Sequence, residues 1–327
     1  MPSSIDLESS TICQLKCRLC GLRKKIYYRG SVGAGFLKFE HFKEFINRNR
    51  FIKHIELSNN GEVFLNPELS KIIKYAYSEK VSLTAEYGVN FNTVSDEVLE
   101  ALVKYKFEKI SIAIDGASQE TYSKYRIGGD FNRVIDNIRK LNTYKKKYES
   151  VYPKLWWQYV LMQSSEDVSE IKKAKDLAKE LNMSIFFKLT YEKGYIPNNP
   201  DILIAETGLK YLNRETFTKN TKSLYANMCQ SLWNKPYINW DGRLLGCCYV
   251  SQNDFGVNVF EIGIENALKS ANYVYAKRLL SGKIAYKDYP IPSPTNGCKG
   301  QKRIPCLYCI RYKYIFENKS FINPKKL

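Results

Sequence analysis

Cys13, Cys17 and Cys20 stand at the spacing C-x3-C-x2-C, directly after a short strand-like run at Ile5-Asp6-Leu7-Glu8. Three thiolates can hold a 4Fe–4S cluster and leave its fourth iron without a protein ligand, and an open position is where a metal centre does chemistry. Zinc competes, because it also takes cysteines. Against it, the spacing is unusual for zinc, no histidine lies nearby (the chain has only His41 and His54) and no fourth ligand follows.

The remaining composition bounds the setting. Hydrophobic residues make up 44% of the 327-residue chain, which excludes disorder and permits a large core. No apolar run approaches membrane-spanning length, and the first ten residues lack the basic and apolar regions of a signal peptide. Nine cysteines, an odd number gathered towards the two ends, suit metal ligation in a reducing compartment. A cytoplasmic protein without a membrane partner is expected. The net charge is +18, but the lysines are scattered (Lys24-Lys25, Lys145 to Lys147, Lys172-Lys173, Lys325-Lys326). That pattern reads as a basic surface, and a nucleic-acid partner is not expected.

Positioning the triplet requires a scaffold, and the pattern supplies one. Strand candidates follow at Ile52 to Ser58, Val81 to Thr84, Lys109 to Ile114, Leu155 to Met162 and Ile185 to Leu189. Helical spacing intervenes at Leu69, Ile72, Ile73 and Ala76, then at Val98, Leu99, Leu102 and Val103. A further helix carries Phe131, Val134, Ile135, Ile138 and Leu141, with Asp130 as its N-cap, and another carries Val168, Ile171, Ala174, Ala178 and Leu181. Six strands alternating with helices predict an α/β fold with a parallel sheet and right-handed crossovers. The pattern alone does not separate a doubly wound sheet from a barrel.

The cysteine triplet resembles the signature of the radical S-adenosylmethionine (radical SAM) enzymes, and further motifs extend the resemblance over about residues 5 to 190. Ser58-Asn59-Asn60-Gly61-Glu62-Val63-Phe64-Leu65-Asn66-Pro67 is similar to the family's Gly-Gly-Glu-Pro-type segment, with Asn60 in place of the first Gly and Val63 in place of the Pro. The family's Thr-Asn-Gly is degenerate here at Thr84-Ala85-Glu86-Tyr87-Gly88. The stretch from Ile110 through Asp115-Gly116 and Thr121-Tyr122 to Arg126-Ile127-Gly128-Gly129-Asp130-Phe131 resembles members that carry a C-terminal SPASM or twitch extension. The resemblance implies a partial (β/α)6 TIM-like barrel over 1–195, with ligands at the carboxyl ends of the strands. It implies that Gly61 and Glu62 meet the SAM amino group, that Arg126 meets its carboxylate and that Ser111 reaches its ribose. Packing or turn-forming roles explain the same residues individually. Gln158 is a candidate to face the pocket.

A loop-rich stretch with Gly194, Pro197 and Pro200 precedes the second region, 196–327. Cys229, then Gly242 and Cys247 after a hairpin-like Trp240-Asp241-Gly242, resemble the opening of a SPASM domain, and Cys306-Leu307-Tyr308-Cys309 supplies a C-x2-C pair. On that resemblance Cys229, Cys247, Cys306 and Cys309 are ligands of a second, auxiliary 4Fe–4S cluster. No cysteine follows Cys309, which points to a shortened, twitch-like version. A structural zinc on the same four residues is the competing reading. Cys248 and Cys298 are left over, as hydrogen donors to a substrate radical or as small buried hydrophobes.

The implied activity is reductive cleavage of SAM to a 5′-deoxyadenosyl radical that abstracts hydrogen from a small polar metabolite, such as a sugar or aminocyclitol, an anionic one among them. Oxidation (a dehydrogenase) or return of hydrogen (an epimerase) would follow. A flavodoxin- or ferredoxin-type electron donor is the expected partner. The alternatives are a maturase of a ribosomally made peptide, an RNA-modifying protein and a non-catalytic two-site zinc protein.

Overall fold

The structure is a computed structural model describing residues 1–22, 32–221, 223, 225, 229–247, 253–283, 304–319 and 321–322. Strands β1 (Ser4–Leu7), β2 (His54–Glu56), β3 (Ser82–Val89), β4 (Lys109–Ala113), β5 (Lys154–Leu161) and β6 (Ser184–Leu189) pair in sequence order, all parallel. Helices α1 (Phe39–Arg48), α2 (Leu69–Ser78), α3 (Asp96–Lys104), α4 (Gln119–Tyr125), α5 (Phe131–Lys147) and α6 (Val168–Glu180) fill the crossovers. The fold is therefore α/β with a mostly parallel sheet. Helix α1, which stands between the triplet and β2, has no counterpart in the sequence expectations.

Strand alternation separates two environments. Ile5 and Leu7, Ile55 and Leu57, and Ile110 and Ile112 are buried in one hydrophobic core. Each such side chain contributes about 1.5–3 kcal/mol on burial. The opposite face is polar. Ser4 Oγ and His54 Nδ1 lie 2.7 Å apart, Thr84 donates to Glu56 at 2.6 Å, and Lys188 donates to Gln158 at 2.5 Å. This face is concave, because Leu19 of the loop after β1 and Lys188 of β6 line one cavity. Among the described residues β1 and β6 share no ladder.

The sheet continues past position 195. Strand β7 (Tyr237–Ile238) adds parallel to β1, and β8 (Arg243–Leu245) and β9 (Asp254–Asn258) follow antiparallel. Gly242, at φ +89°, makes the tight β7–β8 turn where a Cβ would meet Asn258 and Phe260. Before β7 come helices α7 (Pro200–Thr207) and α8 (Arg214–Thr221), so the stretch read as loop-rich also contains helix. Two side chains stitch this region to the polar face. Lys235 Nζ lies 2.9 Å from Asp6 Oδ1, and the Tyr237 hydroxyl donates to Glu8. Asn60 also donates to Glu8, through its backbone N–H at 3.0 Å and its side chain at 3.1 Å, which gives this departure from the family pattern a structural reason.

Candidate active site

The cysteine loop follows β1 and is pinned from two sides. Glu62 N–H donates to Ile12 O at 2.8 Å, and Lys16 N–H donates to Ile127 O at 2.9 Å. Gly61 makes the first tie possible, since a Cβ there would lie 2.1 Å from Ser10 O. Its lack of a side chain serves close packing of two loops. Burial, followed by Glu62 and then Cys17 and Cys20, pushes the Cys13 thiol up to about 12, which places the three sulfurs in one neighbourhood. Cys17 is also pushed up, by burial first, with Arg126 opposing. A bound cation reverses that preference and favours thiolates.

Glu62 follows β2 and is buried. Its Oε2 accepts from Asn90 N–H at 2.6 Å, while Oε1 is buried with no hydrogen-bond partner among the described residues. Burial raises Glu62 to about 7 against the pull of the Asn90, Phe64 and Phe91 N–H groups and Arg126. Such an oxygen is costly to leave unmatched, and a cationic donor satisfies it best.

Arg126 follows α4, its Nε donating to Asp115 Oδ2 at 2.7 Å and its Nη1 lying 3.8 Å from Cys17 Sγ. Burial works against its charge, but Asp115 and Cys17 outweigh it and raise Arg126. Asp115 is itself fixed by Val160 N–H at 2.8 Å, so this aspartate anchors Arg126 as well as turning the chain. Ser111 is buried on β4 and, by alternation, shares the polar face with Lys109.

Asn90 is the residue that sequence reading misses. Strand β3 runs on to Val89, with a register shift between Ala85 and Val89 and Gly88 at φ +110°, so the strand end lies beyond Gly88. Asn90 fixes Glu62 through its backbone and reaches Cys13 Sγ at 3.6 Å and Gln14 Oε1 at 3.3 Å through its side chain. Asn92 accepts from Asp130 N–H at 2.7 Å and donates to the Tyr122 hydroxyl at 2.9 Å. Two asparagines directly after a strand were the available signal.

Beside the cysteine loop lies a cavity of about 270 Å³ bordered by Leu19, Tyr87, Arg126, Gln158, Lys188 and Arg214, among others. Gln158 thus faces the cavity. In the second region, burial pushes the Cys306 thiol up, followed by Cys247, Cys229 and Cys309, so the four cysteines lie together. Cys248 and Cys298 lie outside the described residues.

Residues 7–153 match the family model described as the radical SAM superfamily. This segment is similar to radical SAM domains. The AdoMet-dependent heme synthase of Methanosarcina barkeri (strain Fusaro / DSM 804) is 28% identical over 198 residues, or 59% of this chain and 52% of that protein. The chain thus spans about half the length of this curated relative. The crystal structure of Streptococcus suis SuiB bound to S-adenosylmethionine aligns with a TM-score of 0.61 at 15% identity, covering 83% of this chain and 66% of that one. BtrN in complex with AdoMet and 2-DOIA aligns at a TM-score of 0.48 and 16% identity, covering 87% and 90%. The SuiB likeness concerns the fold.

The residues present fit the groups a radical SAM domain implies. The unmatched Glu62 oxygen suits an ammonium, and the grouped thiols suit a cluster. Among the described residues no three His, Cys, Asp or Glu side chains are gathered as one metal ion requires.

Proposed function

We propose that this protein is a radical SAM oxidoreductase acting on a small polar metabolite, with a partial (β/α)6 barrel over 1–195 and a twitch-like module over 196–327. Cys13, Cys17 and Cys20 would hold the open-site 4Fe–4S cluster, with Gly61, Glu62, Ser111 and Arg126 around SAM. When bound, these groups supply a 5′-deoxyadenosyl radical that takes a hydrogen atom from an unactivated carbon. The carrying observation is the convergence of the triplet, Arg126 and Glu62, whose inner oxygen is buried without a partner. Glu62 orients an ammonium; Asn90 holds Glu62; Asp115 holds Arg126 beside Cys17.

The gathering of Cys229, Cys247, Cys306 and Cys309 supports a second, closed cluster suited to electron transfer, and this favours oxidation over epimerisation. A cavity of about 270 Å³ favours a small molecule over a peptide segment. No helix among the described residues is long and apolar enough to cross a membrane.

Anaerobic reconstitution, reduction and incubation with SAM and perdeuterated sugars or aminocyclitols tests the reading. Deuterium in 5′-deoxyadenosine and a product two hydrogens poorer are expected. Solvent deuterium at the reacting carbon, with no oxidised product, would indicate epimerisation instead. Absence of SAM cleavage under every condition would sink the proposal.

A further inference from the structure

Asn90 stands between the two halves of the candidate site. Its N–H donates to Glu62 Oε2 at 2.6 Å, while its buried side chain reaches the cysteine loop, with Nδ2 3.6 Å from Cys13 Sγ. A backbone group that can only donate decides which end of the amide faces the sulfur, since Asn92 N–H donates to Asn90 Oδ1 at 3.0 Å. Gln14 closes the arrangement. Its Nε2 donates to Asn90 Oδ1 at 2.9 Å and to Thr93 Oγ1 at 3.3 Å, and its Oε1 accepts from Asn90 Nδ2 at 3.3 Å. One hydrogen of the Asn90 amide thus goes to Gln14, and the other is aimed at Cys13.

Holding Glu62 needs only the N–H, which any residue but proline supplies. The side chain has a separate use. Hydrogen bonds to the sulfurs of an iron–sulfur cluster help to set its potential. A donor favours the state with more negative charge, and so favours reduction, and a buried donor acts more strongly than an exposed one. Leu15 N–H also donates to Cys13, and Arg126 Nη1 lies 3.8 Å from Cys17 Sγ. The first is the loop's own backbone, and the second belongs to a guanidinium paired with Asp115. Resting on the radical SAM reading, we propose that Asn90 is a positioning residue with two separable roles: its N–H holds Glu62 for SAM, and its side chain, through Cys13, raises the reduction potential of the cluster on the triplet. The electron comes from an external donor of the flavodoxin or ferredoxin class, which is oxidised by one electron as that cluster is reduced.

The test is a redox titration of the full chain, reconstituted anaerobically and followed by electron paramagnetic resonance. The signal missing from Cys17→Ala is assigned to the triplet, so the assignment does not depend on SAM. Asn90→Leu keeps the N–H and much of the shape, and removes the donor. Its equilibrium constant for one-electron reduction should fall about tenfold, a shift of about 59 mV to lower potential. Asn90→Asp, which turns a carboxylate oxygen towards the sulfur, should shift further in the same direction. Gln14→Leu, which leaves Asn92 N–H to hold the amide, should shift less than Asn90→Leu. A packing role alone does not produce this order. Equilibrium dialysis reads the other role: with the N–H kept, Asn90→Leu should bind SAM less than tenfold more weakly than the wild type, a smaller loss than that of Glu62→Gln. The proposal is overturned if Asn90→Leu and Asn90→Asp both reduce within twofold of the wild type, if Asn90→Leu shifts to higher potential, or if it loses SAM as fully as Glu62→Gln. Should Asn90→Leu fail to take up iron, Asn90→Asp and Gln14→Leu decide by the same order. Failure of the wild type to bind SAM counts against the radical SAM reading alone, and the potentials still decide the role of the side chain. A wild type with no signal that Cys17→Ala removes overturns both.

Discussion

The two cysteine groups offer the same thiol donors in different surroundings. Cys13, Cys17 and Cys20 sit in a loop bordered by Glu62, Asn90 and Arg126, with a cavity beside it. Cys229, Cys247 and Cys306 are buried, and Cys229 and Cys306 belong to the hydrophobic core. A centre that must admit a ligand needs polar groups fixed around an opening, and each of those groups here is held by a neighbour. A centre that is closed by its own thiolates needs only burial and a scaffold. The difference in surroundings therefore predicts a division of labour, and variants can break it.

The largest effect on SAM cleavage is expected at the triplet. Cys17→Ala should abolish 5′-deoxyadenosine formation, by more than about a thousandfold, and lower iron from about eight to about four per chain, because only one cluster is lost. Glu62→Gln comes next. It keeps the shape and removes the charge, so SAM affinity should fall by about 10–100-fold, or about 1.4–2.7 kcal/mol, with iron unchanged. Equilibrium dialysis with labelled SAM reads this directly. Cys306→Ser should give the converse of the first variant. Iron again falls to about four per chain and substrate oxidation is lost, while SAM cleavage stays within about threefold. If Cys306→Ser also stopped SAM cleavage, the division between the two groups would be wrong.

The seam between the regions should affect stability and leave cleavage nearly untouched. Burial raises Glu8 to about 7, opposed by Tyr237 and Asn60, and burial raises Asp6 to about 7, opposed by Lys235. The folded state then binds more protons than the unfolded state between about pH 4 and 7, so stability falls as pH rises through that window. Thermal melts should show this loss levelling off above about pH 7, with a shallower slope in Glu8→Gln, whose side chain cannot ionise. An unchanged slope in that variant would remove Glu8 from the account.

The strands were legible because alternation writes itself into the chain: Ile5 and Leu7 face the core, while Asp6 and Glu8 face the polar side. The cysteine spacing, Glu62 and Arg126 were legible for a related reason, since each carries a distinctive functional group at a strand end. Asn90 was not, because it acts largely through a backbone N–H that every residue but proline possesses. The bulge at Gly88 further displaced the expected strand end. Asp115 read as a turn residue; its pairing with Arg126 depends on α4 folding the chain back across eleven positions. The convergence of Lys188 and Arg214 on one cavity was equally hidden, because it is a tertiary fact.

On the proposed function, Cys13, Cys17 and Cys20 hold an open-site cluster that serves SAM. Reconstituting wild-type and Cys17→Ala protein anaerobically, then measuring iron, zinc and 5′-deoxyadenosine after reduction with SAM, tests it most directly. The expected result is about eight irons and turnover in the wild type, against about four irons and no turnover in the variant. Tightly bound zinc with no 5′-deoxyadenosine, or turnover that survives the loss of Cys17, would contradict it.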